Sequence, residues 1–393
     1  MDMEFRRIDA LPPYVFAQIN DLKIAQRHAG EDIIDLGFGN PDLPSPDIAV
    51  EKLCEAAQNP KNHRYSTSKG IKNLRVAVSN LYDRTFDVKI DPETQVCMTI
   101  GVKEGFSHLM WTLLGPGDSA LVPSPSYPIH IWGPILAGAA VHYVHLGDSS
   151  DVLSNMAKAY EQAWPRPRII VASFPHNPTT TCVDFDFMVE LVAFAKERDM
   201  IVVHDFAYGD MGFDGYKPPS ILSVPGAMDN CVELYSMTKS FSMAGWRCGF
   251  LLGNEKIIAA LGKLKSYLDY GMFQPVQIAA TVTMNELPDY PKEACQIYQN
   301  RRDVLVEGLS KIGWEIEKPK ATMFVWADIP ESYSELTSIE FCEFMIRECN
   351  VAVSPGAGFG PGGEGKVRFA LVENEQRIHQ AIKGMKKGLT KLG

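Results

Sequence analysis

The chain has 393 residues, more than one hydrophobic core usually organises, so two packed lobes are expected. Its formal net charge is −10 and no run of lysines and arginines forms a basic stripe, which argues against nucleic acid or an anionic membrane as a partner. The eight cysteines are scattered without a CxxC pair, so the usual spacing of metal ligands is absent and the content suits a reducing cytosol.

The N-terminal residues are also consistent with a cytosolic protein. Residues 1–7 lack the apolar stretch of a signal peptide, and no apolar run in the chain reaches the length of a transmembrane helix. We therefore expect a soluble, cytoplasmic protein.

Helical and extended patterns follow one another in a regular order. After an arm through Pro12-Pro13, a helix is predicted at 14–27, and a strand at 33–36 enters the loop Gly37-Phe38-Gly39-Asn40-Pro41. From about residue 46 to 285 short β-rich runs alternate with helical stretches, which predicts a mostly parallel sheet covered by helices on both faces. The predicted strands lie at 95–100, 119–122, 140–144, 168–173, 200–204, 232–235 and 249–252.

The pattern changes after about residue 286. A long helix is predicted at 290–311, strands at 323–326 and 367–371, and a Gly/Pro-rich loop at 354–365. This is typical of a second, smaller α+β lobe. We therefore expect an arm with the first part of the small domain at 1–45, a large domain at 46–285 and a small C-terminal domain at 286–393.

Lys239 stands directly after a predicted strand, where ligands bind α/β sheets. It lies in Ser236-Met237-Thr238-Lys239-Ser240, and Ala244-Gly245-Trp246-Arg247-Cys248-Gly249 follows. An unprotonated lysine can form a Schiff base with an aldehyde cofactor, and Ser236 and Arg247 can bind a phosphate by charge-assisted hydrogen bonds. Taken alone, Lys239 would be a surface lysine in a loop, and the motif that follows it favours the cofactor site instead.

Other predicted strands also end in polar residues. Asp205 could pair with a pyridinium nitrogen and make the ring an electron sink, or it could cap a helix. Tyr208 could donate to the phenolic oxygen of such a ring. Asn177, before Pro178, could bond the same oxygen or simply form a turn.

Three weaker signals complete the set. Backbone N–H groups at a helix start near Lys103 can bind phosphate, and Tyr127 could stack on a flat ring. Arg368 lies in a predicted apolar strand, where an arginine needs a partner. A substrate carboxylate gripped by both nitrogens would suit it, and so would a structural salt bridge.

Together, in this order and at these separations, the motifs resemble those of fold-type I pyridoxal-phosphate (PLP) enzymes of the class I/II aminotransferase group. The resemblance runs from Gly37-Phe38-Gly39-Asn40-Pro41 to Val367-Arg368-Phe369-Ala370-Leu371. It implies an α/β fold with a mostly parallel seven-stranded sheet in the large domain and a smaller α+β domain. It also implies pyridoxal 5′-phosphate as the cofactor, amino acids and 2-oxo acids as substrates, and a role in amino-acid biosynthesis.

The resemblance assigns a role to each motif. It makes Lys239 the Schiff-base lysine and proton shuttle, with Asp205 and Tyr208 as its catalytic partners. The residues implied to bind the cofactor are Tyr65, Val102, Lys103, Tyr127, Asn177, Asp205, Tyr208, Ser236, Lys239 and Arg247. The implied substrate site consists of Gly39, Asn40, Asn177 and Arg368, with Arg368 on the α-carboxylate. Tyr65 would reach the phosphate of a neighbouring subunit, so a homodimer is implied.

The reaction implied is ping-pong transamination. The stretches 101–105, 125–130, 265–271 and 354–360 look most like bacterial glutamate–pyruvate (alanine) aminotransferases. LL-diaminopimelate, aromatic and methionine aminotransferases stay open, as does a C–S β-lyase that would use nearly the same residues. A DNA-binding regulator of this fold is disfavoured because no helix-turn-helix precedes the domain. A nicotinamide dehydrogenase is disfavoured because the GxGxxG fingerprint is missing.

A few positions depart from the family pattern or concern selectivity. Thr180 stands where the family commonly has glycine, and Cys248 where an aliphatic residue is usual. Residues 266–274 contain no arginine for a distal carboxylate, which argues against a dedicated aspartate enzyme. Side-chain selectivity is expected at Phe38, at 14–17 and at the partner's 267–273. Closure of the two lobes on substrate is a further hypothesis, because Arg368 and Lys239 lie on different lobes.

Overall fold

A computed structural model describes residues 3–9, 11–147 and 151–390. The strands, in chain order, are β1 (Ile34–Asp35), β2 (Val96–Ile100), β3 (Ser119–Ser124), β4 (Ala140–His145), β5 (Ile169–Ala172), β6 (Ile201–Asp205), β7 (Cys231–Ser236), β8 (Cys248–Gly253), β9 (Phe324–Asp328), β10 (Val351–Ala352), β11 (Ser354–Pro355) and β12 (Lys366–Ala370).

The helices are α1 (Arg6–Asp9), α2 (Val15–His28), α3 (Asp47–Ala57), α4 (Lys72–Phe86), α5 (Val102–Leu113), α6 (Pro128–Leu136), α7 (Val152–Gln162), α8 (Phe185–Glu197), α9 (Met237–Ser240), α10 (Glu255–Leu268), α11 (Gln274–Glu286), α12 (Tyr290–Ser310), α13 (Ser338–Cys349) and α14 (Glu375–Gly388). Short 3₁₀ helices lie at Pro60–His63, Ile221–Ser223, Ala227–Asp229, Glu331–Tyr333 and Gly356–Phe359.

The large lobe is built on a seven-stranded sheet in the order β2-β8-β7-β6-β5-β3-β4. Only β8 runs antiparallel to its neighbours. Strands β3, β5, β7 and β8 are buried along their whole length, as expected for a sheet covered by helices on both faces. The predicted α/β fold with a mostly parallel seven-stranded sheet is confirmed.

The small lobe has a three-stranded antiparallel sheet in the order β11-β12-β9. The N-terminal part of the chain joins it, because β1 pairs in parallel with β10 and Ile19 and Leu36 belong to the same hydrophobic core as Leu305 and Met385. The boundaries at 45/46 and 285/286 stay a prediction.

One local expectation differs from the structure. The segment 354–365, expected as a loop, begins with β11, which hydrogen-bonds to β12. Lys239, which taken alone could have been a surface lysine in a loop, lies in the short helix α9. That helix forms because the Ser236 side chain caps it, accepting a hydrogen bond from the Thr238 N–H over 3.2 Å.

The two departures from the family pattern are accommodated differently. Thr180 has φ +60°, a left-handed conformation that a glycine would adopt at lower cost. Cys248 is fully buried and packs as a small apolar residue. All eight cysteines are unpaired. Within the described ranges, no helix has both the length and the apolar character needed to cross a membrane.

Candidate active site

A cavity of about 410 Å³ opens between the two lobes, at the carboxyl ends of β5, β6 and β7. This volume is typical of a pocket for a small molecule or cofactor. With the exception of Tyr65, every residue predicted to bind cofactor or substrate lines it: Gly39, Asn40, Val102, Lys103, Tyr127, Asn177, Asp205, Tyr208, Ser236, Lys239, Arg247 and Arg368.

The amine of Lys239 enters the cavity from α9. Its Nζ donates a hydrogen bond to the carbonyl oxygen of Gly39 over 2.8 Å. Burial, together with the charges of Arg368 and Arg247, lowers the pKa of Lys239 to about 7. Near neutral pH a large fraction of this amine is therefore unprotonated, as a nucleophile or a base requires.

Asp205, the last residue of β6, is buried and faces the cavity. Its Oδ2 lies 2.8 Å from His130 Nε2, and its Oδ1 accepts the backbone N–H of Ala207 over 3.2 Å. His130 Nδ1 in turn lies 3.0 Å from the hydroxyl of Ser126. Helix α6 thus supplies a histidine that orients the carboxylate toward the cavity.

His130 is a site residue that sequence reasoning missed. It lies 75 positions before Asp205 in the chain, and only its place at the start of a helix beside Tyr127 connects it to the motif. A buried histidine is more often a core residue than a functional one. The carboxylate partner that distinguishes the two becomes visible only in the folded chain.

Asn177 bonds both Tyr208, a predicted cofactor residue, and Arg368, a predicted substrate residue. Its Nδ2 donates to the phenolic oxygen of Tyr208 over 3.4 Å, and its Oδ1 accepts from Arg368 Nη1 over 2.7 Å. Burial raises the pKa values of Tyr208 and Tyr127, so both phenols remain protonated hydrogen-bond donors.

Arg368 is buried in β12 without an acidic partner in the described parts of the chain. Its Nη2 donates to the Gly37 carbonyl over 3.2 Å, and its guanidinium stacks on Phe324 and Phe359, with Cζ 4.0 and 4.6 Å from the ring centroids. Its Nε has no hydrogen-bond partner, and burial lowers its pKa to about 10. The structural salt bridge is therefore not found, and the side chain can still accept an anionic partner.

The start of α5 forms an anion-binding corner. Among the described residues no side chain caps this helix, so its first N–H groups, at Val102 and Lys103, have no side-chain partner there. Gly101 has φ +78°, and a Cβ atom there would collide with the guanidinium of Arg247. Ser236 lines the same cavity. An arginine packed against a helix start suits a phosphate group.

Tyr65 lies apart from this cavity. Its side chain is 85% exposed, and its ring packs on Tyr270 with centroids 4.7 Å apart. Tyr267 and Phe273, three residues before and after Tyr270 in the chain, are also exposed. A single chain does not bring Tyr65 to the site.

The chain is similar to known proteins in sequence and in overall structure. The sequence profile of the family described as "Aminotransferase class I and II" matches residues 31–384. The chain is 50% identical over 385 residues to the glutamate-pyruvate aminotransferase AlaC of Escherichia coli (strain K12), covering 98% of this chain and 93% of that protein. It is 40% identical to an LL-diaminopimelate aminotransferase of Moorella thermoacetica, covering 99% of each. The substrate-bound structure of BacF from Bacillus subtilis superposes with a TM-score of 0.92 at 35% identity, over 98% of each chain.

Proposed function

The chain belongs to the class I and II aminotransferases and is a transaminase, and we propose that it uses pyridoxal 5′-phosphate to move an α-amino group from glutamate or alanine to pyruvate or 2-oxoglutarate. One observation carries the cofactor assignment. One cavity is lined by a lysine with a pKa of about 7, by an uncapped helix start with an arginine against it, and by a second arginine that has no acidic partner among the residues the structure describes.

The residues around the cavity fit the parts of this cofactor. The phosphate would be held by the N–H groups of Val102 and Lys103 with Ser236 and Arg247. The ring would lie against Tyr127, with its nitrogen on Asp205 and its phenolic oxygen near Asn177 and Tyr208. When bound, PLP supplies the electron sink that stabilises a carbanion at the amino acid's α-carbon.

The chain's own residues then have distinct tasks. Arg368 would hold the substrate α-carboxylate, since its guanidinium is fixed by Asn177 and two aromatic rings and no carboxylate of the described residues pairs with it. Lys239, held by the Gly39 carbonyl, would remove the α-proton as a neutral amine and return it after transfer. Asp205, oriented by His130, would keep the ring nitrogen protonated.

The choice of substrate rests on the 50% identity to AlaC and on Lys103. The side chain of Lys103 lines the cavity, with its Nζ 5.9 Å from the centroid of the Tyr127 ring, and no ion pair is found for it within the described residues. Arg368 and Arg247 are needed for the α-carboxylate and the phosphate. Lys103 is therefore the cation available for the distal carboxylate of glutamate or 2-oxoglutarate.

We further propose a cytoplasmic homodimer. The exposed aromatic surface around Tyr65 and Tyr270 supports dimerisation, because such patches are usually covered by a partner. Tyr65 would then reach the phosphate bound by the partner subunit. The eight unpaired cysteines support a reducing compartment.

A spectrum and a donor panel test this function. The purified enzyme should show a PLP absorbance band that changes when an amino acid is added, and Lys239→Ala should abolish turnover. Alanine, glutamate, aspartate, methionine and LL-diaminopimelate should each be tried with pyruvate and with 2-oxoglutarate. Preference for LL-diaminopimelate would contradict the substrate assignment alone. Ammonia and pyruvate released from cystathionine without a keto acid would contradict transamination.

A further inference from the structure

A buried lysine on α10 contacts the first turn of α5. Lys265, on α10, has no solvent-exposed surface, and its Nζ donates to Glu104 Oε1 over 3.0 Å and to Asp269 Oδ2 over 2.9 Å. A buried ammonium with two carboxylates is costly unless each charge is compensated. Lys265 has no place in the transamination chemistry described above.

Glu104 occupies the first turn of α5, where the cofactor phosphate is proposed to bind. Its Oε2 accepts the backbone N–H of Ile100 over 2.7 Å, and its Oε1 lies 2.6 Å from His108 Nδ1. A carboxylate is favourable at a helix N-terminus because it complements the positive end of the helix dipole. For the same reason it competes with a second anion at that end.

Lys265 forms an ion pair with the carboxylate of Glu104. The ligand atoms of Glu104, His108 and Asp269 lie within 4.8 Å of one another, close enough to surround a cation, and the ammonium of Lys265 bonds two of the three residues. Burial alone would lower the pKa of Lys265, but Glu104 and Asp269 outweigh it and raise that pKa. The lysine therefore stays charged.

We propose that Lys265 is a positioning residue that neutralises Glu104 and thereby allows the start of α5 to hold the phosphate of the cofactor. The inference rests on the proposed cofactor. Without Lys265, a phosphate dianion would approach a helix end that already carries an uncompensated negative charge. A purely structural lysine, tying α5 to α10, would affect phosphate-bearing and phosphate-free ligands alike.

Paired titrations separate the two roles. Wild type and Lys265→Met, both full-length and freed of cofactor, are titrated with pyridoxal 5′-phosphate and with pyridoxal, and the dissociation constants are obtained from absorbance. We expect the Kd for pyridoxal phosphate to rise about tenfold, as for loss of one compensating charge near an anion, with the Kd for pyridoxal unchanged. Equal changes for the two ligands, or no change for either, would overturn the proposal.

Glu104→Gln supplies the reciprocal test. The amide oxygen can still accept the Ile100 N–H, so this variant removes the charge and the contact with Lys265 while keeping that backbone hydrogen bond. It should bind pyridoxal phosphate at least as tightly as wild type, and Glu104→Gln combined with Lys265→Met should return close to the wild-type Kd. A double variant as weak as Lys265→Met would contradict the charge argument. If Lys265→Met does not fold, Glu104→Gln alone decides, because weaker binding of pyridoxal phosphate in it overturns the proposal.

A matched control comes from the same helix. Lys256, on α10, is exposed, so Lys256→Met should leave both dissociation constants at the wild-type values. A wild-type enzyme that does not bind pyridoxal phosphate would refute the proposed cofactor. A wild type that binds it, with variants that show no phosphate-specific change, would refute only the role of Lys265.

Discussion

Arg368 and Asn177 belong to different lobes, yet Arg368 Nη1 donates a hydrogen bond to Asn177 Oδ1 over 2.7 Å. Asn177 also bonds Tyr208, so the arginine proposed for the substrate and the amide proposed for the cofactor ring form one unit. Any movement of the small lobe that shifts β12 must therefore strain or break this bond. If the lobes close on substrate, the distance between Arg368 Nη1 and Asn177 Oδ1 should therefore change.

Replacing Arg368 by leucine should lower kcat/KM for substrates that carry an α-carboxylate much more than for amines that lack one. Two charge-assisted hydrogen bonds in a buried site are lost, so kcat/KM for alanine should fall roughly a hundredfold or more. An amine that lacks the carboxylate, such as ethylamine, should be affected far less, and the ratio of the two kcat/KM values is the measurement. A uniform loss for both amines would argue that Arg368 serves only to hold the site together.

The amine of Lys239 should control how fast the cofactor-free enzyme captures pyridoxal phosphate. Because its pKa is lowered to about 7, the amine is mostly protonated below that pH and mostly neutral above it. The capture rate, followed by absorbance in stopped flow, should therefore rise with pH through a midpoint near 7 and level off about one pH unit higher. Since the charge of Arg368 contributes to the lowered pKa, Arg368→Leu should move the midpoint to higher pH. A wild-type midpoint near the ordinary lysine value would contradict the effect of burial.

His130→Phe should lower kcat while changing KM little, because His130 orients Asp205 and is not among the residues proposed to hold the substrate. Loss of one hydrogen bond to a carboxylate predicts a fall of roughly tenfold. Ser126→Ala, one contact further from the cavity, should have a smaller effect of the same kind. Steady-state kinetics measure both, and a His130→Phe enzyme with unchanged kcat would remove His130 from the mechanism.

Lys103→Met should shift selectivity away from glutamate. If this ammonium meets the distal carboxylate, kcat/KM for glutamate relative to alanine should fall roughly tenfold, as expected for one charge-assisted contact at a partly exposed site. Lys103→Arg, which keeps the charge, should retain most of the preference. The ratio is insensitive to changes in cofactor binding, because both donors use the same loaded enzyme. An unchanged ratio would mean that Lys103 does not bind the distal carboxylate, and a residue of the partner subunit would be the next candidate.

Arg301 should be important for both stability and substrate affinity. It is buried on α12, and its Nη1 and Nη2 donate to the two carboxylate oxygens of Asp42 over 2.6 and 2.7 Å. Asp42 follows the loop that supplies Gly39. Arg301→Leu leaves the Asp42 carboxylate, whose side chain is 33% exposed, without its partner, so the free energy of unfolding should fall by about 1–2 kcal/mol and KM should rise.

The control for Arg301 is Arg377, which forms the same two-pronged contact with Asp32 on the surface. Arg377→Leu should change the free energy of unfolding far less, because solvent screens an exposed pair. Urea denaturation of both variants provides the comparison. Equal losses would mean that burial is not what makes the Arg301–Asp42 pair important.

The sequence by itself determined the order of the elements and the residues that follow the strands. Alternating apolar runs and polar strand ends were enough to predict the parallel sheet and to select Lys239, Asp205, Asn177 and Tyr208, because the carboxyl ends of parallel strands meet at one edge. Its error was local, because the predicted loop at 354–365 begins with a short strand. The short helix around Lys239 was not predicted, since it depends on one capping hydrogen bond from Ser236.

Only the tertiary structure decided which distant groups meet. Lys239 and Gly39 are 200 positions apart in the chain, His130 and Asp205 are 75 apart, and Lys265 and Glu104 are 161 apart. Local periodicity reports the face of an element that is buried, but it does not report which other element covers that face. These contacts follow from strand order and lobe packing, which bring side chains within about 3 Å irrespective of sequence separation.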